Sequence, residues 1–112
     1  MDIWDITALE IEPHQPEVLH SDEGAVRVIA INLPSGEALR DHEVHEHAWL
    51  HVHRGAVEVD ADGATRRVGA GGLVHWPPGE RHAVRAADDA LLVLLLAPWP
   101  GLGHPSRAGE TS

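Results

Sequence analysis

Five of the ten histidines in this 112-residue chain fall inside one twelve-residue stretch, HEVHEHAWLHVH, as His42, His45, His47, His51 and His53. Imidazole is the commonest metal ligand among side chains, and the one whose unperturbed charge changes between pH 5 and 8. The cluster therefore points to a metal centre, a pH-responsive surface, or the two superimposed. The chain has no cysteine, so disulfides and thiolate sites are excluded, and any ion must be held by imidazole, carboxylate, amide or water. That donor set suits a divalent ion such as Zn, Mn, Fe, Ni or Cu.

Strands must position these donors. No long window keeps a helical period, and eleven glycines and eight prolines cut the chain into short pieces. Strand-like runs are Ala25 to Leu33, Ala48 to His53, Ala56 to Asp60, Ala64 to Val68, Leu73 to Trp76, His82 to Ala86 and Ala90 to Ala97. Turn chemistry separates them at Asp62-Gly63 and in the glycine-rich Gly69 to Gly72. Many short strands at regular spacing predict an all-β, antiparallel sandwich or barrel. At this length one domain is expected, with the barrel over 1–97 and a Pro- and Gly-rich tail over 98–112. Trp99 is expected to tie down the start of that tail and the last eight or so residues to fray.

Two segments together resemble the paired motifs of the cupin superfamily, small single-domain antiparallel jelly-roll barrels that often hold one metal ion in the barrel mouth. In the first, Gly36 is followed after five residues by His42, and Gly55 closes the motif. Val44 stands where the second histidine is usual, and Ala48 where the glutamate is usual. The second motif, GGLVHWPPGERHAVRA, is more complete: Gly71, then Pro77-x-Gly79, then His82, with Ala86 in place of the usual asparagine. The resemblance covers about 33–97, and is particularly to small stand-alone bacterial cupins with a similar H-x-x-H-E…AW stretch and APWPG ending. It implies that His42 and His82 converge inside the mouth. It supports a fold strongly and an activity weakly.

Two imidazoles alone make a weak site, so a third donor is expected. With residues 45–47 forming a turn, His45 could replace the lost ligand through a one-residue bulge. His47 is the next option, and Glu46 the third. In a regular strand Ala48, Leu50 and Val52 share the inner face, lining a mostly apolar cavity with Val74, while Trp49, His51 and His53 share the outer one. That outer pair of histidines reads first as a solvated face or a subunit contact, and second as a surface metal site. His75 has no assigned side. Glu80 and Arg81 read as a solvated loop pair, and His14, His20 and His104 as surface residues.

The formal net charge of −10, with no lysine, argues against nucleic acid as a partner. The longest apolar run, Ala90 to Ala97, is too short to span a membrane, and the acidic start does not resemble a signal peptide. A cytoplasmic protein, forming a homodimer and taking a small-molecule ligand, is the expectation. Three functions stay open: a metal-dependent enzyme using His42, His82 and one of His45, His47 or Glu46; a non-enzymatic ligand or metal sensor; and a structural dimer with a pH-responsive histidine face.

Overall fold

The computed structural model describes residues 1–61 and 63–104, with the side chains of residues 40–43 and 61 excepted. Asp62 of the expected turn and the end of the tail, 105–112, thus lie outside the described residues. A short 3-10 turn, Ile6–Ala8, precedes nine strands: β1 (Glu17–Asp22), β2 (Val26–Leu33), β3 (Ala38–Glu43), β4 (His47–Arg54), β5 (Ala56–Ala61), β6 (Ala64–Gly69), β7 (Leu73–Trp76), β8 (Arg81–Ala86) and β9 (Ala90–Ala97).

All strand pairs are antiparallel and form two sheets, β1-β2-β9-β4-β7 and β3-β8-β5-β6. The all-β, antiparallel architecture expected from the sequence is what forms. The centre of the first sheet is β9, whose continuous apolar run pairs along its length with β2 and β4. Such a run suits a strand flanked by neighbours on both edges. In β4, by contrast, burial alternates strictly: Ala48, Leu50 and Val52 are buried, while His47, Trp49, His51 and His53 are only partly so. Period-two alternation puts the first set against the core and the second on the outer surface.

The two sheets meet across a core of Ile31, Leu33, Ala48, Leu50, Val52, Val57, Val59, Trp76, Val84, Ala86, Ala90, Leu92 and Leu96. Ala48, Leu50 and Val52 are essentially inaccessible. They fill the core instead of lining a cavity, contrary to the sequence expectation. A second, smaller cluster forms where Ile6, Leu9 and Leu19 pack on Ile11, Ala30 and Leu91. The amino-terminal segment is thereby fixed over one end of the first sheet.

Gly55, which closes the first motif, has φ +81°, and a Cβ there would lie 2.1 Å from the Asp89 carbonyl oxygen. Both the left-handed backbone and the close approach require glycine. This locks the β4-β5 corner against the turn that enters β9.

Candidate functional site

The two histidines the motifs single out, His42 and His82, occupy neighbouring strands of the second sheet and are direct register partners. Their pairing depends on an irregularity. Between Leu39↔Val84 and His42↔His82, β3 advances three residues while β8 advances two. The extra residue is a bulge, a device that re-aims side chains beside it. Without it Asp41, not His42, would lie opposite His82. The sequence expectation puts a bulge after His42, to bring in His45; the structure has it before His42. The His42 side chain itself lies outside the described residues.

His82 is 4% exposed and shares the buried face of β8 with Val84 and Ala86, so it faces inward. Its ring stacks on Trp76 of the opposite sheet, with centroids 3.9 Å apart and planes 7° from parallel. Nδ1 lies 3.2 Å from the Glu80 carbonyl oxygen. A carbonyl only accepts, so Nδ1 donates in this contact. A backbone carbonyl orienting the ring in this way is typical of a metal-ligating histidine, and equally of one that accepts from a small ligand.

The remaining candidates do not gather around His82. Val44, at the lost histidine position, packs on the core, and its carbonyl accepts the Gly79 amide at 2.9 Å, joining the two motif loops. Ala48, at the lost glutamate position, pairs with Trp76 in the ladder. A methyl there leaves room for the indole on which His82 stacks.

Glu46 is buried, at 1% exposure, and its Oε2 accepts the Gly101 amide at 2.5 Å. Gly101 comes so close that a Cβ on it would lie 2.2 Å from the His45 carbonyl oxygen. Glu46 therefore secures the APWPG ending onto the 45–46 loop. His45 faces the same segment, its ring edge-on to His104 at 5.8 Å.

His47 opens β4 instead of belonging to the turn, and strand parity puts it on the outer face, opposite to His82. There its Nδ1 lies 2.8 Å from Nε2 of His75. The ring centroids are 5.1 Å apart with planes 17° from parallel. That separation exceeds the N···N distance by just the two ring radii, so the rings meet edge to edge in one N–H···N hydrogen bond. Trp49 lies beside both, 5.6 Å from His47 and 5.0 Å from His75. His75 is thus on the outside, against Trp49. His51 and His53 continue the outer row, with ring centroids 6.0 Å apart. His14 approaches Glu37 at 3.2 Å, and His20 lies 6.5 Å from Trp4.

A cleft of about 440 Å³ opens between the β6 and β7 sheet edges, lined by Val59, Val68, Val74 and Trp76 with Arg66, His75 and Glu80 as its polar groups. No sequence signal marks it, because its walls come from both sheets and none forms a motif. Of the cavity walls expected from the sequence, only Val74 is found here. Glu80 joins the cleft to the histidine, through its carbonyl contact with His82.

The chain matches the family model described as "Cupin domain" over residues 29–98. It belongs to the cupin family. Among solved structures, a cupin superfamily protein from Desulfitobacterium hafniense superposes with TM-score 0.73 at 13% identity, covering 81% of this chain and 84% of that one. KdgF from Halomonas sp. gives 0.68 at 24% identity, over 80% and 84%. Bacillus subtilis oxalate decarboxylase, described for its Mn(II) centres, gives 0.62 at 23% identity, over 65% of this chain and 21% of that one. At these identities the likeness carries the cupin fold. A comparison with curated proteins gives no match.

Donor chemistry tests whether this cupin suits a three-ligand ion. Among the described residues, no group of three His, Asp or Glu side chains gathers. Val44 and Ala48 offer no donor, Glu46 is held by Gly101, and His47 is on the other face. The described residues also contain no helix long and apolar enough to cross a membrane.

Proposed function

We propose that this protein is a non-enzymatic, small-molecule-binding cupin whose ligand enters the jelly-roll barrel through the cleft between β6 and β7. The observation that supports this most directly is Trp76, which lines the cleft on one side and carries the stacked His82 ring on the other. A cleft of about 440 Å³ is of small-ligand size, and apolar walls with a few polar groups are the usual composition of such sites. Trp76, 2% exposed, backs the cleft, and Arg66, His75 and Glu80 supply its polar groups.

A metal-dependent reading keeps one specific support, the register pairing of His42 with His82. In that reading the two imidazoles hold a divalent ion, and the bound ligand or water completes its coordination. Metal analysis of untagged protein, purified without added metal, decides between the readings. Occupancy well below one ion per chain, with small molecules still shifting Trp76 fluorescence after chelation, supports the binding cupin. One tightly held ion per chain, lost on His82→Ala, overturns it in favour of the metal centre.

A further inference from the structure

The outer face of the first sheet carries a pair of imidazoles that has no part in the barrel interior. In the β4-β7 ladder Trp49 is the direct partner of His75, so His47 stands two positions along, on the diagonal. Diagonal neighbours are about 7–8 Å apart at the backbone, within reach of ring side chains. Here the rings close that gap: His47 Nδ1 and His75 Nε2 are 2.8 Å apart, with ring centroids 5.1 Å apart and planes 17° from parallel. The two nitrogens and the two centroids are therefore nearly collinear, and the orbital of each nitrogen points at the other. His75 is exposed on β7, an edge strand of its sheet. Side-chain rotation there lets the rings part while the ladder stays in place.

We infer that His47 and His75 form a surface site for a closed-shell monovalent metal ion, Cu(I) or its redox-inert counterpart Ag(I), which takes the place of the bridging proton. The collinear nitrogens decide the class of ion. Such ions prefer two donors in line, and two metal–nitrogen bonds of about 2.0 Å need nitrogens about 4 Å apart, roughly 1.2 Å more than in the hydrogen bond. A four-coordinate ion such as Zn(II) would instead require both rings to turn until their lone pairs converge, and further side chains to join them. Among the described residues no group of three His, Asp or Glu side chains gathers to supply these. The proton count balances: whichever ring donates in the hydrogen bond carries its proton on the far nitrogen instead, His47 Nε2 or His75 Nδ1. Two neutral imidazoles then face the ion, and the neutral pair loses no proton. Trp49 lies 5.6 Å from His47 and 5.0 Å from His75, ring centre to ring centre, which puts an ion between them about 5 Å from the indole and makes its fluorescence a reporter. The formal net charge of −10 favours the approach of a cation.

Titration of the untagged protein with Ag(I), as the nitrate in chloride-free buffer, followed by imidazole nitrogen NMR and tryptophan emission, tests this. The first equivalent is expected to shift His47 Nδ1 and His75 Nε2 together and to quench emission, with Kd below about 100 µM. His51 and His53, whose rings lie 6.0 Å apart and 53° from parallel, are expected to respond only later. His47→Ala and His75→Ala are each expected to weaken the binding about tenfold or more, while His51→Ala leaves it unchanged and Zn(II) binds less tightly than Ag(I). The ion is expected to be kept in His82→Ala, which separates this site from one in the barrel. A first equivalent that goes to other histidines overturns the inference, and this wild-type spectrum decides the matter if a variant fails to fold. So does unchanged affinity in folded His75→Ala, binding weaker than that limit, or Zn(II) held as tightly as Ag(I).

Discussion

The Glu46 carboxylate accepts the Gly101 backbone amide at 2.5 Å, across 55 positions of sequence. That one bond joins the loop between β3 and β4 to the segment beyond β9. Trp99 reinforces it: its carbonyl accepts the Gly24 amide, its amide donates to the Ala25 carbonyl, and its ring lies under the Arg27 guanidinium at 4.7 Å. The H-E…AW stretch and the APWPG ending thus form two halves of one structural contact.

Glu46→Ala is expected to lower unfolding free energy by roughly 2 kcal/mol, the usual worth of a hydrogen bond to a charged group. Gly101→Ala should cost a similar amount, because its Cβ would press on the His45 carbonyl. Since both changes break one contact, the double variant should lose clearly less than the sum. Urea unfolding of the four proteins checks this. Full additivity would show that the two residues are not coupled.

Much of the fold is legible in the sequence, and the exceptions have physical causes. The runs Leu73 to Trp76 and Ala90 to Ala97 coincide with β7 and β9. β1 escapes sequence reading because EVLHSD is a polar edge strand with no clean alternation. His47 reads as turn because the motif suggests a loop there, whereas its ladder pairing with Ala97 makes it strand. The outward row of Trp49, His51 and His53 follows from period two alone. The role of Glu46 is not legible, because its partner is a backbone amide on a distant segment. The bulge ahead of His42 is equally hidden, since nothing in ALRDHE marks an extra residue.

Restoring the missing glutamate should not by itself restore a metal centre. Ala48 is fully buried and pairs with Trp76, so Ala48→Glu puts a carboxylate where the indole packs. An uncompensated buried charge costs several kcal/mol. The expected outcome is a strongly destabilised protein with no gain in bound ion, measured by thermal unfolding and metal analysis. A stable variant that takes up one ion per chain would mean that Trp76 yields its place readily.

Removing the His82 ring should be visible through its stacking partner. His82→Ala exposes one face of the Trp76 indole to the mouth, and is expected to red-shift tryptophan emission. The lost ring contact contributes about 0.5–1.5 kcal/mol beyond its buried area. His82→Phe keeps a flat ring and is expected to retain most of the stability, while losing any binding that uses Nε2. Equal loss of stability in both variants would show that the imidazole nitrogens, not the stack, hold this corner together.

Two glycines with nearly the same φ should respond very differently to alanine. Gly36 (φ +84°) has open space where a Cβ would lie, so Gly36→Ala should carry only the left-handed backbone strain, about 1–2 kcal/mol. Gly55→Ala adds a collision with the Asp89 carbonyl and Ala90 Cα, which are backbone and cannot rotate away. Its destabilisation should be several kcal/mol larger, enough to leave the protein unfolded at ambient temperature. Paired thermal melts decide this, and similar melting points would show that the β4-β5 corner can shift.

Asp5 provides a pH test at the amino-terminal turn. Its carboxylate accepts from the Thr7 hydroxyl at 2.6 Å and the Thr7 amide at 3.1 Å. These bonds, the hydroxyl first, hold its pKa below the ordinary 3.8. With the folded value depressed, its contribution to the turn is complete above 3.8 and is lost as pH falls through the lower folded value. An NMR titration of the Asp5 carboxyl should therefore give a midpoint below 3.8, moving up toward it in Thr7→Val. Asn can cap the same turn without titrating, so Asp5→Asn should keep the turn while removing its acid-induced loosening. A wild-type midpoint at or above the ordinary value would mean that the Thr7 bonds do not persist in solution.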